Sequence, residues 1–98
     1  MSTIDLSLAN SVLYSGCEVI EVGGRATLNT KPSDATNIVG RNIAKIVSET
    51  PQEDRDEVVL TGPMAVWAYL IVFHAVVHKF SKVWYDDGRS GKVLISQH

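Results

Sequence analysis

Residues 63–77 constrain the fold more than any other part of the chain. These fifteen positions hold no aspartate, glutamate, lysine or arginine, so most of the segment has to be covered by something apolar. With His74 inside it, the segment falls short of the roughly 20 residues that a membrane-spanning helix needs. It is also too long for a strand, which typically runs to about 5–6 residues. The remaining solution is a helix over 64–79 packed on apolar partners, in spite of the strand-favouring Val66, Ile71, Val72, Val76 and Val77.

The segments around it supply those partners. Val12, Leu13, Tyr14, Cys17, Val19, Ile20 and Val22 read as strand material over 11–22, ended by the Gly23-Gly24 turn. Near Pro32 a helix begins, with Ser33 as its N-cap and Asp34 suited to the positive end of the helix dipole. Ile38, Val39, Ile43, Ile46 and Val47 then recur at helical spacing. Gly40 costs this helix up to about 1 kcal/mol relative to alanine unless something packs against it, and Thr50-Pro51 ends it. A charged loop over 52–56 leads to a short strand over 57–61, stopped by Gly62-Pro63. After the apolar helix come a strand over 82–86, an Asp87-Gly88 turn and a returning strand over 92–96. Helices and strands in this order give one α+β domain over residues 1–98, a sandwich of helices on a small sheet.

Composition removes several function classes. A single cysteine, Cys17, excludes an internal disulfide framework, and residues 1–10 carry no basic flank of a secretory signal. Both point to a cytoplasmic protein. The net charge of −2 is wrong for a general nucleic-acid binder, which needs a basic surface against phosphates. Residues 1–73 carry five Lys or Arg against nine Asp or Glu, whereas residues 74–98 carry four against two, plus all three histidines. A local basic site on an acidic chain suits a small anionic ligand better than a long polyanion.

That basic segment holds the residues that could do chemistry. His74 and His78 are four apart, which on a helix puts both imidazoles on one face, the spacing used to present two nitrogens to one metal ion. The glutamate of a His-Glu-x-x-His protease motif is absent, Ala75 standing in its place. A partly buried, hydrogen-bonded histidine pair would have the same spacing. Asp86-Asp87-Gly88 is ordinary hairpin-turn chemistry, but Asp86 ends the strand that follows the histidine helix. Three residues on, Arg89 is the side chain best suited to hold a phosphate by two parallel hydrogen bonds. His98 is a third imidazole if the last strand runs beside the helix. Nitrogen and oxygen donors admit manganese or zinc, and the lack of cysteine partners argues against a structural zinc site. A metal on a phosphate with an arginine beside it is the chemistry of phosphodiesters. No P-loop and no Gly-x-Gly-x-x-Gly occur.

The ordered set Val58-Val59-Leu60-Thr61-Gly62-Pro63, Trp67, Tyr69-Leu70, His74, His78, Tyr85-Asp86, Arg89, Gly91 and 93–98 resembles the smallest ring nuclease family of type III CRISPR systems. The resemblance covers 58–98 well and 1–57 only in outline. It implies a small ferredoxin-like sandwich, about two helices on a four- to five-stranded sheet, forming a homodimer or higher oligomer that clasps its ligand. It further implies Mn²⁺-dependent cleavage of cyclic oligoadenylate, the tetra-adenylate above all. On this carry-over His74 or His78 is catalytic together with Asp86 and Arg89; Arg89, Lys79 and Trp67 bind substrate; and His78, Asp86 and His98 hold the metal. Trp84 and Tyr85 are aromatic faces on which adenine could stack. The chain departs from the family in carrying Asp87-Gly88 where a proline stands, so Asp86 and Asp87 compete for one role. It also stops at His98, where relatives continue for another strand. The alternative function is a module that binds cyclic oligoadenylate or an RNA end without hydrolysis.

Overall fold

The computed structural model describes residues 1–98. Six strands and two helices follow in the order β1 (Ser2–Asp5), β2 (Val19–Val22), β3 (Arg25–Leu28), α1 (Pro32–Glu49), β4 (Glu57–Thr61), α2 (Val66–Val76), β5 (Lys82–Asp86) and β6 (Lys92–Gln97), with a short 3₁₀ turn at Gln52–Asp54. The main sheet has the order β1-β4-β5-β6. Its first three strands are parallel, and β6 returns antiparallel to β5. β2 and β3 form a separate hairpin. The fold is α+β, two helices on a four-stranded mixed sheet, and in its layers it agrees with the expected sandwich. The strand order and the parallel pairing are details on which the sequence alone is silent.

Parallel neighbours need crossovers, and the two helices supply them, β1-α1-β4 and β4-α2-β5. Both crossovers step the same way across the sheet, so right-handed connections put both helices on one face, where α1 packs against α2. Ala35, Val39, Ile43 and Val47 of α1 and Ala68, Val72 and Val76 of α2 are buried at strict four-residue spacing. They close over Ile4, Val58, Leu60 and Val83 of the strands, together with Leu6, Leu13, Tyr14 and Phe80. The sixteen buried residues include no charged side chain, and Tyr14 is the one titratable group among them.

The strands over 57–61 and 82–86 form where their patterns place them. The second helix is shorter than its pattern, Val66–Val76 rather than 64–79, and two further expectations are corrected. Residues 11–17 are turns, not strand; Leu13 and Tyr14 are apolar because they plug the core beside α1, held by the Asn42 amide on the Leu13 and Ser15 carbonyls at 2.8 Å each. The strand there starts only at Val19, and Gly23 and Gly24, both at positive φ, turn it back into β3. At the start of α1, Lys31 is the N-cap and no side chain caps the helix; Pro32 opens it, which leaves Ser33 inside the first turn. Gly40 faces Ile71, with space for an ordinary contact.

Candidate functional site

The parallel strands all point their carboxyl ends the same way, which gathers the residues at those ends along one edge of the sheet. Asp5, Thr61 and Asp86 are register partners there, a row of three across β1, β4 and β5, followed by Lys92 on β6. With strands about 4.8 Å apart, the two aspartates stand on the order of 10 Å from each other at their backbones, with Thr61 between. The Thr61 hydroxyl donates to the Asp86 carbonyl at 2.9 Å. Asp5 accepts from the Ser7 N–H (2.8 Å) and the Ser7 hydroxyl (3.0 Å). Gly62 follows Thr61 at φ +104°, and a Cβ there would lie 2.4 Å from an Asp5 carboxylate oxygen and 3.0 Å from the Ser7 nitrogen. Only glycine lets β4 turn this closely past the end of β1.

Two tyrosines tie this end to the core. Tyr14 donates its hydroxyl to the Leu6 carbonyl, and Tyr69 on α2 donates to the Gly62 carbonyl at 2.5 Å. Burial pushes both phenols up to about 12, the neighbouring Cys17 adding to the effect at Tyr14 and Tyr85 at Tyr69. Both therefore remain donors at neutral pH.

The loop between β5 and β6 gives the two adjacent aspartates different surroundings. Asp87 accepts from the Arg89 N–H (2.8 Å) and the Ser90 N–H (2.7 Å) through one oxygen, and these backbone donors, Ser90 first, hold its carboxyl below the usual carboxylate range. Asp86 accepts one bond, from the Gly88 N–H at 2.7 Å, and is half-buried at the strand end. Asp87 shapes the loop, and Asp86 keeps an oxygen with no protein partner. Arg89 is exposed in the same loop with its side chain making no hydrogen bond or ion pair.

The histidines are elsewhere. α2 runs back from the carboxyl ends of the strands, so His74 lies in its last turn and His78 just past its end, both exposed. His98 follows β6, its N–H donating to the Ser81 carbonyl at 2.8 Å, and its ring meets that of His78 at 5.5 Å between centroids. Lys79 borders a cleft between α1 and α2 with Arg55, whose guanidinium donates to the Val47 and Thr50 carbonyls at the end of α1.

The anticipated constellation is thus divided. His78, His98 and Lys79 share the amino end of β5, and Asp86 and Arg89 share its carboxyl end, about 13 Å away along a five-residue strand. Within one copy, His78, Asp86 and His98 are not a ligand set, and no three His, Cys, Asp or Glu residues gather where they could hold a metal ion. The separation has a plain cause: in a β-α-β unit the helix end and the carboxyl end of the next strand lie at opposite edges of the layer. Trp67 stands in the first turn of α2, half-buried against the core, at the Asp86 end rather than beside Lys79.

Trp84 is half-buried on the sheet face away from the helices, its indole N–H donating to Glu57 at 2.8 Å with the Lys92 ammonium 4.9 Å from its ring centre. Tyr85 meets the Tyr69 ring edge-to-face at 5.3 Å. Asp5 and Thr61 were missed by sequence reasoning; the strand-helix-strand order over 57–86 is the signal that could have aligned Thr61 with Asp86, whereas Asp5 sits on a strand too short to be read. No helix is long and apolar enough to cross a membrane. Comparison with protein-family models, curated proteins and solved structures finds no match.

Proposed function

We propose that the chain is a phosphodiesterase of the ring-nuclease type, cleaving cyclic oligoadenylate, with cyclic tetra-adenylate as its first substrate to test. The observation that carries this reading is the meeting of His78 and His98, twenty residues apart in sequence, with their rings 5.5 Å apart on an exposed edge. A strand and a helix end converge to place two imidazoles side by side, and an imidazole can both give and take a proton at a phosphodiester. Arg89, free in its loop, is suited to hold a phosphate by paired hydrogen bonds. Because these groups lie at opposite ends of β5, a ligand as extended as a tetranucleotide ring, or a second copy of the chain, is needed to engage both. The manganese dependence that the resemblance implies then requires an assembly in which the carboxylate of another copy reaches the imidazole pair.

The test is incubation with cyclic tetra-adenylate, with and without Mn²⁺, followed by chromatography of the products. Linear adenylates appearing with the metal are expected. Asp86→Ala and Arg89→Ala should each lower turnover at least about 100-fold with an unchanged circular dichroism spectrum, and retained turnover in both would sink the assignment. The division of the constellation favours a second reading, a module that binds the ring without cutting it. An intact ring together with a raised melting temperature would select that reading.

A further inference from the structure

The amino end of the sheet holds a guanidinium of its own. The Ser81 N–H donates to the Arg55 carbonyl at 3.2 Å, and the His98 N–H donates to that of Ser81 at 2.8 Å. Arg55, Ser81 and His98 therefore follow one another across this end, as Asp5, Thr61 and Asp86 do across the other. With chains about 4.8 Å apart, Arg55 and His98 stand on the order of 10 Å from each other at their backbones. Lys79 lies two residues before Ser81 and directly follows His78, whose ring meets that of His98. Arg55 and Lys79 line one cleft of about 370 Å³ between the ends of α1 and α2, together with Ser48, Ala44, Val47 and Ala75. That volume lies within the roughly 300–1,000 Å³ of small-molecule sites.

We propose that this cleft is a phosphate subsite, in which Arg55 and Lys79 hold a phosphate of the oligonucleotide ligand beside the His78–His98 pair. The identity of that ligand rests on the reading proposed above; the binding of phosphate does not. The lining names the guest by its chemistry. It offers two cations and a hydroxyl, and no carboxylate. Neither cation is in an ion pair, since Asp56 is engaged by the Met1 ammonium and Glu49 by Lys45. Glu57 accepts from the Trp84 indole instead. Arg55 is half-buried, where an unpaired charge is costlier than in open water. Its Nε and Nη2 donate to the Thr50 and Val47 carbonyls. These are two of five guanidinium N–H donors, so three remain for a guest. The same two bonds hold the fork in one place and offset the negative end of α1, which repels anions. Arg89 lies beyond the far end of β5, about 13 Å along the strand. Within one copy, Arg55 is the guanidinium nearer to the imidazole pair.

The test titrates the isotope-labelled chain with inorganic phosphate at constant ionic strength, followed by nuclear magnetic resonance, with chloride as the control. The amide signals of Ser48, Arg55, Ala75 and Lys79 and the Arg55 Nε–H signal should shift saturably with phosphate and stay in place with chloride. Arg55→Gln and Lys79→Ala should each weaken the apparent affinity about tenfold, the effect of losing one hydrogen bond to a charged group. Arg25→Ala on the β2–β3 hairpin should leave it unchanged. Should Arg55→Gln loosen the end of α1, Lys79→Ala still decides, because Lys79 is exposed and in no ion pair. With cyclic tetra-adenylate, Lys79→Ala should raise KM about tenfold and leave kcat within about twofold, as expected for a group that holds the ligand in ground and transition states alike. Phosphate shifts confined to residues outside the cleft, affinity unchanged in both variants, or a loss in Arg25→Ala as large as theirs would each overturn the subsite. Saturable binding in the cleft with the ring left intact would support the subsite and count against the proposed function alone.

Discussion

The two ends of the parallel strands are built from opposite kinds of material. At the carboxyl end, side chains are spent on the backbone: Tyr69 on the Gly62 carbonyl, Thr61 on that of Asp86, Asp5 on Ser7 and Asp87 on the loop it closes. At the amino end the imidazoles of His78 and His98 are exposed and make no hydrogen bond to the protein, their rings 5.5 Å apart. The first end is fixed by hydrogen bonds that the fold needs; the second can change its partners at little cost to folding. Substitutions among the hydrogen-bonded residues of the carboxyl end should therefore cost stability, whereas those at the exposed His78 and His98, like those at Asp86 and Arg89, should leave the fold intact.

The largest stability effect that would break this contrast is at Gly62. Alanine there meets both an unfavourable φ of +104° and a carboxylate oxygen of Asp5 2.4 Å from its Cβ. The loss should be about 3 kcal/mol, measured as a shift of the urea midpoint at constant slope. A loss below about 1 kcal/mol would show that the β1 and β4 ends move apart freely, and the contrast between the ends would fail.

Much of this fold was legible in the chain because α1 is amphipathic in the ordinary way. Its buried Ala35, Val39, Ile43 and Val47 alternate with polar residues that face water. Residues 63–77 were legible for a different reason, their length, although they leave the apolar Val66 and Leu70 exposed. β1 was not legible: four residues with one buried side chain, Ile4, carry too little pattern to be told from a loop. Residues 12–14 were misleading, since a core plug and a strand ask for the same apolar residues. For the site, residue types and spacing named His74, His78, Asp86, Arg89 and His98, but not how they divide. Spacing of i and i+4 speaks only within one helix, and the distance from His78 to Asp86 is set by the direction in which α2 runs back along the sheet.

A smaller effect tests whether the carboxyl end is held by single bonds or by packing. Tyr69→Phe removes the hydroxyl from the Gly62 carbonyl and leaves the ring against Tyr85. The cost should be about 1 kcal/mol, measured by the same titration. A loss equal to that of Gly62→Ala would mean that the hydroxyl, not the close approach of the strands, governs this end.

Acid sharpens the comparison further. Backbone N–H donors of Ser90 and Arg89 lower the Asp87 carboxyl, whereas at the amino end the Met1 ammonium lowers that of Asp56. In both cases the folded value lies below the unfolded one, near 3.9. The stabilisation is therefore complete above that value and is lost as pH falls through the lower folded one. Asp87→Asn and Asp56→Asn should each flatten the acid fall in melting temperature. Added salt should erase the effect of Asp56, an exposed ion pair, and leave that of Asp87, which rests on backbone dipoles. Equal salt sensitivity would remove this distinction between the ends.

The smallest stability effect expected belongs to His98→Ala. Its ring is exposed, and the one bond that anchors the residue, from its N–H to the Ser81 carbonyl, is made by the backbone and survives the substitution. Stability should stay within about 0.5 kcal/mol of wild type, in the range found for surface positions. If the imidazole pair serves cleavage, turnover of cyclic tetra-adenylate should nonetheless fall at least about 100-fold, and His78→Ala should fall with it. The double variant should lose no more than the worse single one, because groups that act as a unit do not add. Independent, additive losses would mean that the two rings meet without acting together, and the amino end would then be an exposed edge like any other.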